Sequence, residues 1–287
     1  MQIIFRADTD HPDSTALNPS TYLFEWKLLS STHFSHQGNL LRGLLMSFLK
    51  GIFDSLTKEP VEDALREAPF LLSSTSESAK EQFRRGLTFG HDRNFVEAAK
   101  WYRLAAEKGH AEAQFLLGVQ FWEGLGVKKD EVEATRWYRK AAEQGDAQGQ
   151  YSVGVILADD DHGDAKQKAE AAQWFGKAAI QGHADAQCSL AYLYVTGSGV
   201  AKDEAEGARW YRKAAEQGHA DSQYSLGFML VHGLGVARDL EQAYFWLLLG
   251  SSDNSLANEV LEELEEQLSE AQCSEIQMRA SKWKPSL

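Results

Sequence analysis

Residues Ala111–Asp146 read AEAQFLLGVQFWEGLGVKKDEVEATRWYRKAAEQGD, and the order of signals within them decides the fold. In the first half Ala113, Leu117 and Phe121 fall four apart, and in the second half Ala134, Tyr138 and Ala142 do the same. Residues at that spacing share one stripe of a helix, so each half predicts an amphipathic α-helix. Between them Gly124-Leu125-Gly126-Val127 interrupts the periodicity. Asp130 then supplies an acidic N-cap, with Glu133 three places on as the second member of a capping box. Gly145 stands where a helix ends on a left-handed residue. The stretch is a helix-turn-helix unit.

Moving outward, the same marks recur. Tryptophans stand at Trp101, Trp137, Trp174, Trp210 and Trp246, spaced 36, 37, 36 and 36 residues apart. An Ala-Ala pair follows the first four by four residues, and a glycine closes each of those units at Gly109, Gly145, Gly182 and Gly218. The loop returns as Gly197-Ser198-Gly199-Val200 and Gly233-Leu234-Gly235-Val236, leading to Asp203 with Glu206 and to Asp239 with Gln242. Proline is absent between Pro69 and Pro285, and no alternating strand pattern competes. The chain therefore predicts an all-α array of five tandem repeats over residues 79–250. A single unit cannot bury its apolar face alone, so stacking of neighbours must supply the core, with the tryptophans expected to fill the gaps between successive helix pairs.

The repeated string, seen as Ala184-Asp185-Ala186-Gln187, Leu190, Tyr194, Gly197-Ser198-Gly199-Val200, Asp203, Trp210-Tyr211, Ala214-Ala215 and Gly218, resembles the Sel-one-like repeat (SLR), a relative of the tetratricopeptide repeat. The resemblance implies a right-handed α/α superhelical solenoid whose first helices line a concave surface that docks other proteins. Three departures stand out. The first unit has Gly90-His91-Asp92-Arg93 in place of the glycine loop, the third has Asp159-Asp160-Asp161-His162-Gly163-Asp164, and the fifth loses its Ala-Ala pair at Gly250-Ser251. Residues 251–287 resemble the C-terminal cap of bacterial members, with an acidic helix over residues 255–266, a capping box at Ser269 and Gln272, and a closing turn at Trp283-Lys284-Pro285.

Carrying over the ligand-facing places of the tetratricopeptide first helix implies a binding strip. It comprises Glu112, Phe115, Val119 and Trp122 in the second unit, Tyr151 and Val155 in the third, Asp185, Tyr192 and Val195 in the fourth, and Asp221, Tyr224 and Phe228 in the fifth. The strip is aromatic and edged with acid.

The totals narrow the partners. With 29 basic against 42 acidic residues the net charge is −13, which disfavours nucleic acid and anionic membranes and suits a basic or neutral protein. Cys188 and Cys273 belong to no C-x-x-C or Cys/His cluster, so neither a disulfide framework nor a zinc site is signalled. No apolar run is long enough to span a bilayer, and the polar, acidic first residues do not resemble a secretory signal. A cytoplasmic location is expected, with a periplasmic or peripheral inner-membrane one as the alternative.

Several patterns have a plain structural reading. The G-x-G-V loops lack the preceding strand and the Gly-Lys-Ser/Thr of a phosphate loop, and their recurrence at the repeat period marks them as turns. The acidic run Asp159–Asp164 misplaces its glycine and lacks the closing Glu of a calcium loop, so it is expected to be a solvated insertion. His110, His183 and His219 each follow a helix-ending glycine and are expected to be turn residues, with Asp146 in the equivalent place. No nucleophile has a sequence-level base, so no catalytic residue, cofactor or metal is assigned. Paired cysteines and an S-x-x-K, which would suit a penicillin-binding role, are missing from the repeats.

Residues 1–45 are aperiodic and are expected to be an irregular arm, or to precede a start at Met46. From Met46, Phe48, Leu49, Ile52, Phe53 and Leu56 form one apolar stripe, so residues 46–78 are expected to hold a capping helix and a linker, with membrane contact through the Met46–Leu56 helix as an alternative. Within the linker, Ser74 and Glu77 are the expected cap of the first repeat helix. The expected role is a scaffold or adaptor that binds a partner protein in its concave groove. The alternatives are an immunity-type inhibitor of a toxin or effector enzyme and a membrane-associated regulatory subunit.

Overall fold

The computed structural model describes residues 77–158, 164–250 and 255–286. The arm, the Met46–Leu56 helix, most of the linker and the Asp159–Gly163 portion of the acidic run lie outside the described residues. Each sequence unit forms two helices. They are α1 (Ala79–His91) with α2 (Phe95–Glu107), α3 (Ala111–Glu123) with α4 (Glu131–Glu143), α5 (Ala147–Ala158) with α6 (Ala165–Ile180), α7 (Ala184–Thr196) with α8 (Glu204–Glu216), and α9 (Ala220–His232) with α10 (Leu240–Gly250). Two more, α11 (Ser255–Gln267) and α12 (Glu270–Lys282), pack on α10. No strand occurs among the described residues.

The two helices of each unit pack together, and each second helix packs on the first helix of the next unit. The result is a right-handed α/α superhelical solenoid. Its innermost ring position is the residue after each ladder tryptophan. Tyr102, Tyr138, Phe175 and Tyr211 are all buried, with Leu247 in their place in the last unit. Trp101, Trp137 and Trp246 are buried beside them, but Trp174 and Trp210 are only half-buried, so the expectation that the tryptophans fill the core holds for three of five. All five stand at the same place on their second helices, and a lysine one turn on lies over the ring whether the tryptophan is buried or not, Lys140 over Trp137 at 3.9 Å, Lys177 over Trp174 at 3.8 Å and Lys213 over Trp210 at 3.9 Å.

The turns follow from backbone chemistry. Gly109, Gly145, Gly182 and Gly218 all have φ near +90°. Beyond each, the next amide reaches back to close a Schellman motif, as in His110 N–H to the Ala105 carbonyl at 3.1 Å. The second glycine of the G-x-G loop meets a different demand. Gly126 has φ +71°, and a Cβ there would overlap the Phe95 carbonyl at the start of α2. Gly199 stands against Lys168 and Gly235 against Glu204 in the same way, so this loop butts onto the second helix of the preceding unit.

An amide relay, buried at one end and open to solvent at the other, ties the units together. The side chain of Gln114 donates to the Ala106 carbonyl (3.0 Å), and Gln144 donates to the Gln114 oxygen (2.6 Å). Gln150 with Gln181, and Gln187 with Gln217, repeat the arrangement one and two units on, and Gln223 continues it to the Ala215 carbonyl. These donors add a second bond to carbonyls at the ends of the preceding second helices, which also accept the N–H of the helix-ending glycine, as Ala106 does from Gly109 at 3.0 Å.

Several capping expectations need correction. Asp130 and Asp203 cap α4 and α8 as expected, accepting from the Glu133 and Glu206 amides, but neither capping box closes. The Asp130 and Asp203 amides already donate to Phe121 and Tyr194 on the preceding first helices (both 2.9 Å), so Glu133 and Glu206 turn instead to Arg136 and Arg209. Helix α1 is capped by Ser78 with Glu81, not by Ser74 with Glu77, and Glu77 pairs with Arg85 at 2.7 Å. Asp164 caps α6 in a full box with Gln167. The Ser269 box forms as expected. Trp283-Lys284-Pro285 is not a turn. Proline favours an extended residue before it, and the segment runs out to Ser286, whose amide donates to the Glu216 carbonyl at the end of α8 (2.8 Å), with Pro285 against Gly218.

Candidate partner-binding face

The first helices α3, α5, α7 and α9 are built on a common plan, with a small residue, a glutamine, an aliphatic residue and a second small residue turned inward, as Ala113, Gln114, Leu117 and Gly118 in α3 and Gly149, Gln150, Val153 and Gly154 in α5. In α3 nine of thirteen residues are buried, because α4 and the preceding α2 both press on it. That double contact decides which expected strip residues reach the surface. Phe115, Val119, Val155 and Val195 are 2–9% exposed and belong to the core, so their placement on a docking face is corrected. Phe115 packs on Tyr138 with ring centres 5.7 Å apart. The tetratricopeptide register turns these places outward, whereas here the neighbouring second helix covers them.

The other eight reach the surface. Trp122, Tyr151, Asp185, Tyr192, Tyr224 and Phe228 are half-buried, and Glu112 and Asp221 are exposed. Trp122 leans on Tyr138 at 6.5 Å and Phe228 on His232 at 4.4 Å. Tyr151 stacks on His183 at 4.7 Å and its hydroxyl bonds Ser189 on the next first helix; burial above all, and then Asp185, pushes that hydroxyl's pKa up.

The histidines are more than turn residues. His110, His183 and His219 are the N-caps of α3, α7 and α9, and in each the Nδ1 lone pair accepts the backbone N–H three residues on. Asp146 does the same for Gly149 at 2.7 Å. The presence of aspartate at the equivalent place was the sequence signal for this role, since Asp is a standard N-cap residue. Burial pulls the pKa of His110 and His183 down.

His219 behaves differently, and three local residues explain it. Its Nε2 lies 3.3 Å from Asp185 Oδ1, it bonds Cys188, and its Nδ1 lies 3.1 Å from Ser222 Oγ. Burial opposes protonation, but Cys188 and Asp185 outweigh it and hold the imidazole well above its usual range. A proton on Nδ1 would end its acceptance of the Ser222 N–H, but could be donated to Ser222 Oγ instead. The other capping histidines meet Ala113 and Ala186 at that place and have no such acceptor. Asp185 is correspondingly held below the usual carboxylate range by His219 and His183, against its own burial. The fifth places of the first helices read Phe83, Phe115, Tyr151, Cys188 and Tyr224. Cys188 is where the ring run breaks, and it leaves His219 without an aromatic to stack on. Among the described residues no His, Cys, Asp and Glu group converges to hold a metal ion, and no helix is long and apolar enough to cross a membrane.

Paired helices stacked at a fixed period, tied by an amide relay and presenting an aromatic face, define an α/α solenoid repeat protein. The Sel1 repeat profile matches residues 82–110, 111–146, 147–183, 184–219 and 220–255, and the chain belongs to the Sel1 repeat family. Proteins of this family are generally protein-interaction scaffolds. Among solved structures, the chain is similar to c5321, a protective antigen with an SLR fold from uropathogenic Escherichia coli. The TM-score is 0.65 at 34% identity, over 73% of this chain and 46% of that longer one, so the chain spans about half its length. A Sel1 repeat protein from Oxalobacter formigenes matches with TM-score 0.61 at 28% identity, over 76% of this chain and 90% of the other. An immunity protein of Pseudomonas aeruginosa matches at TM-score 0.43 and 21% identity, over 74% of this chain and 89% of that one, a likeness too loose to bear on function. No curated protein sequence matches the chain significantly.

Proposed function

We propose that this protein is a non-catalytic scaffold or adaptor that captures another protein on the face of its first helices. The observation that carries the reading is the row of half-buried rings Trp122, Tyr151, Tyr192, Tyr224 and Phe228 on helices whose other large side chains are mostly buried. Rings held in place on one side and open to solvent on the other bring large contact area at little cost in side-chain freedom, and such residues dominate interface energetics.

The test is affinity capture with the full chain, followed by measured affinity for whatever partner is enriched. Trp122→Ala and Tyr192→Ala should each weaken binding by about tenfold or more. Thermal melting of each variant checks that the fold is intact. Unchanged affinity in both folded variants would remove the first-helix face from the account.

A further inference from the structure

One turn of the solenoid already holds an extended segment. Beyond α12 the residues Trp283, Lys284, Pro285 and Ser286 run across the turn that closes α8. The Ser286 amide and hydroxyl both donate to the Glu216 carbonyl, at 2.8 and 2.9 Å. That carbonyl belongs to the last turn of α8, where the helix supplies no donor of its own. Pro285 lies on Gly218, where a Cβ would stand 3.0 Å from the proline ring. Trp283 meets the ladder tryptophan of the following unit, Trp246, with ring centres 6.2 Å apart and the planes nearly perpendicular. A left-handed glycine, the last helical carbonyl and the next tryptophan thus make a seat for an aromatic-x-Pro-Ser segment.

The repeat builds the same elements three more times. Gly109, Gly145 and Gly182 share the φ near +90°, and a Cβ at any of them would meet nothing within 4 Å. Among the described residues no amide or side chain donates to the corresponding carbonyls of Glu107, Glu143 and Ile180. The three turns are unequal all the same. At the first, the following tryptophan, Trp137, is buried. At the second, the Gly145 carbonyl is taken by the Gln181 side chain at 2.9 Å. At the third, Trp210 is half-buried, and the place held by Glu107, Glu143 and Glu216 elsewhere is held by Ile180, whose side chain is 78% exposed. A single exposed isoleucine needs no explanation by itself, and helix termination alone accounts for the glycines. Neither accounts for a proline and a serine seated on one of these turns, and that seated segment shows what the geometry accepts.

We infer that the turn at Gly182 docks a partner protein through an extended segment of the pattern seated at Gly218: an aromatic residue, any residue, proline, then serine or threonine. The proline ring lies on Gly182, the next residue's amide and hydroxyl donate to the Ile180 carbonyl, and the aromatic ring meets Trp210. Proline holds φ near −65°, so the segment has less freedom to lose on docking. The segment at Gly218 is tethered and needs little affinity of its own, whereas a separate partner has no tether, and Ile180 offers it the apolar contact that a glutamate does not. Lys213 lies over the Trp210 ring at 3.9 Å, and its flexible stem lets it move aside for an incoming ring. This seat is made by second helices and adds to the first-helix face without depending on it.

The full chain is titrated with a labelled, amidated peptide of residues 280–287, Ala-Ser-Lys-Trp-Lys-Pro-Ser-Leu. The peptide should bind saturably, and Gly182→Ala should weaken it about tenfold, because the added methyl takes the place of the proline ring. Gly145→Ala carries the same backbone strain at another turn, φ +95° against +94°, and should bind as the parent does. Ile180→Ser should weaken binding about threefold, and peptides with alanine in place of Trp283 or Pro285 should bind about tenfold more weakly. Thermal melting checks that each variant is folded; should Gly182→Ala melt early, the exposed Ile180→Ser carries the result. Absence of saturable binding would overturn the inference, and so would a peptide indifferent to both Gly182→Ala and Ile180→Ser, which places it at Gly218 in exchange for the chain's own segment. An equal loss in Gly145→Ala would overturn the choice of the third turn. Self-association of the parent chain that Gly182→Ala abolishes would make a second copy the occupant and overturn the partner protein. Trp122→Ala and Tyr192→Ala should leave the peptide's affinity unchanged, so the first-helix face and this seat stand or fall separately.

Discussion

Three histidines perform one backbone task, yet two of them respond to acid in one direction and the third in the other. Burial lowers the proton affinity of His183, so as pH falls through its ordinary value of 6.5 the unfolded chain takes up the proton first. The stability that neutral His183 contributes is complete above that pH and lost below it. At His219, Cys188 and Asp185 reverse the sign, so its contribution is complete at acid pH and lost as pH rises through the elevated value. Asparagine keeps a capping oxygen without a titration. His183→Asn should flatten the decline of Tm between pH 7 and pH 5, and His219→Asn should steepen it, as read by thermal melting across that range. The sequence showed these residues at recurring places but not this contrast. The contrast depends on Asp185 and Ser222 meeting one imidazole across a unit boundary, which local pattern does not reveal. The same limit applies to the docking strip. The resemblance to the tetratricopeptide first helix supplied all twelve residues, while the burial of Phe115, Val119, Val155 and Val195 was decided by helices lying elsewhere in the chain.

At the level of helices and turns, two glycines with the same backbone sign should respond unequally to alanine. Gly145 has φ +95° and open space around it, so Gly145→Ala should cost about 1 kcal/mol of backbone strain. Gly126 adds an overlap with the start of α2, and Gly126→Ala should cost clearly more, about 2–4 kcal/mol by denaturant unfolding. The ring ladder offers a second comparison. Tyr138→Ala empties a buried site and should cost about 3–5 kcal/mol, whereas Trp174→Ala, half-buried under Lys177, should cost less than half of that. Helix existence and order were legible from the 36-residue period because each helix repeats the same apolar stripe. The capping boxes were legible only halfway. Aspartate at the N-cap is a local matter, but whether its own amide is free depends on the preceding helix, and Phe121 and Tyr194 had already taken it.

Across the whole molecule, the amide relay predicts that stability is shared between units. Gln150→Leu would remove one of two donors to the Ala142 carbonyl and one of two acceptors of the Gln181 amide, which keep Gly145 N–H and the Gly145 carbonyl. The expected cost is about 1–2 kcal/mol, and hydrogen exchange should show lost protection on both sides of that boundary, in α4 as well as α5. Exchange altered in α5 alone would show that the relay does not couple the units. Because Gln150, Gln187 and Gln223 make the same bond to the preceding unit, and histidine stands before both Ala184 and Ala220, the joints on either side of the fourth unit share their amide relay and their helix cap. A duplicate of residues 184–219 could thus be spliced in behind the original with those bonds kept, Ala186 replacing Ser222 beside His219. The number of units, and with it the reach of the surface, is then a parameter that gene duplication can adjust at the expense of that one contact.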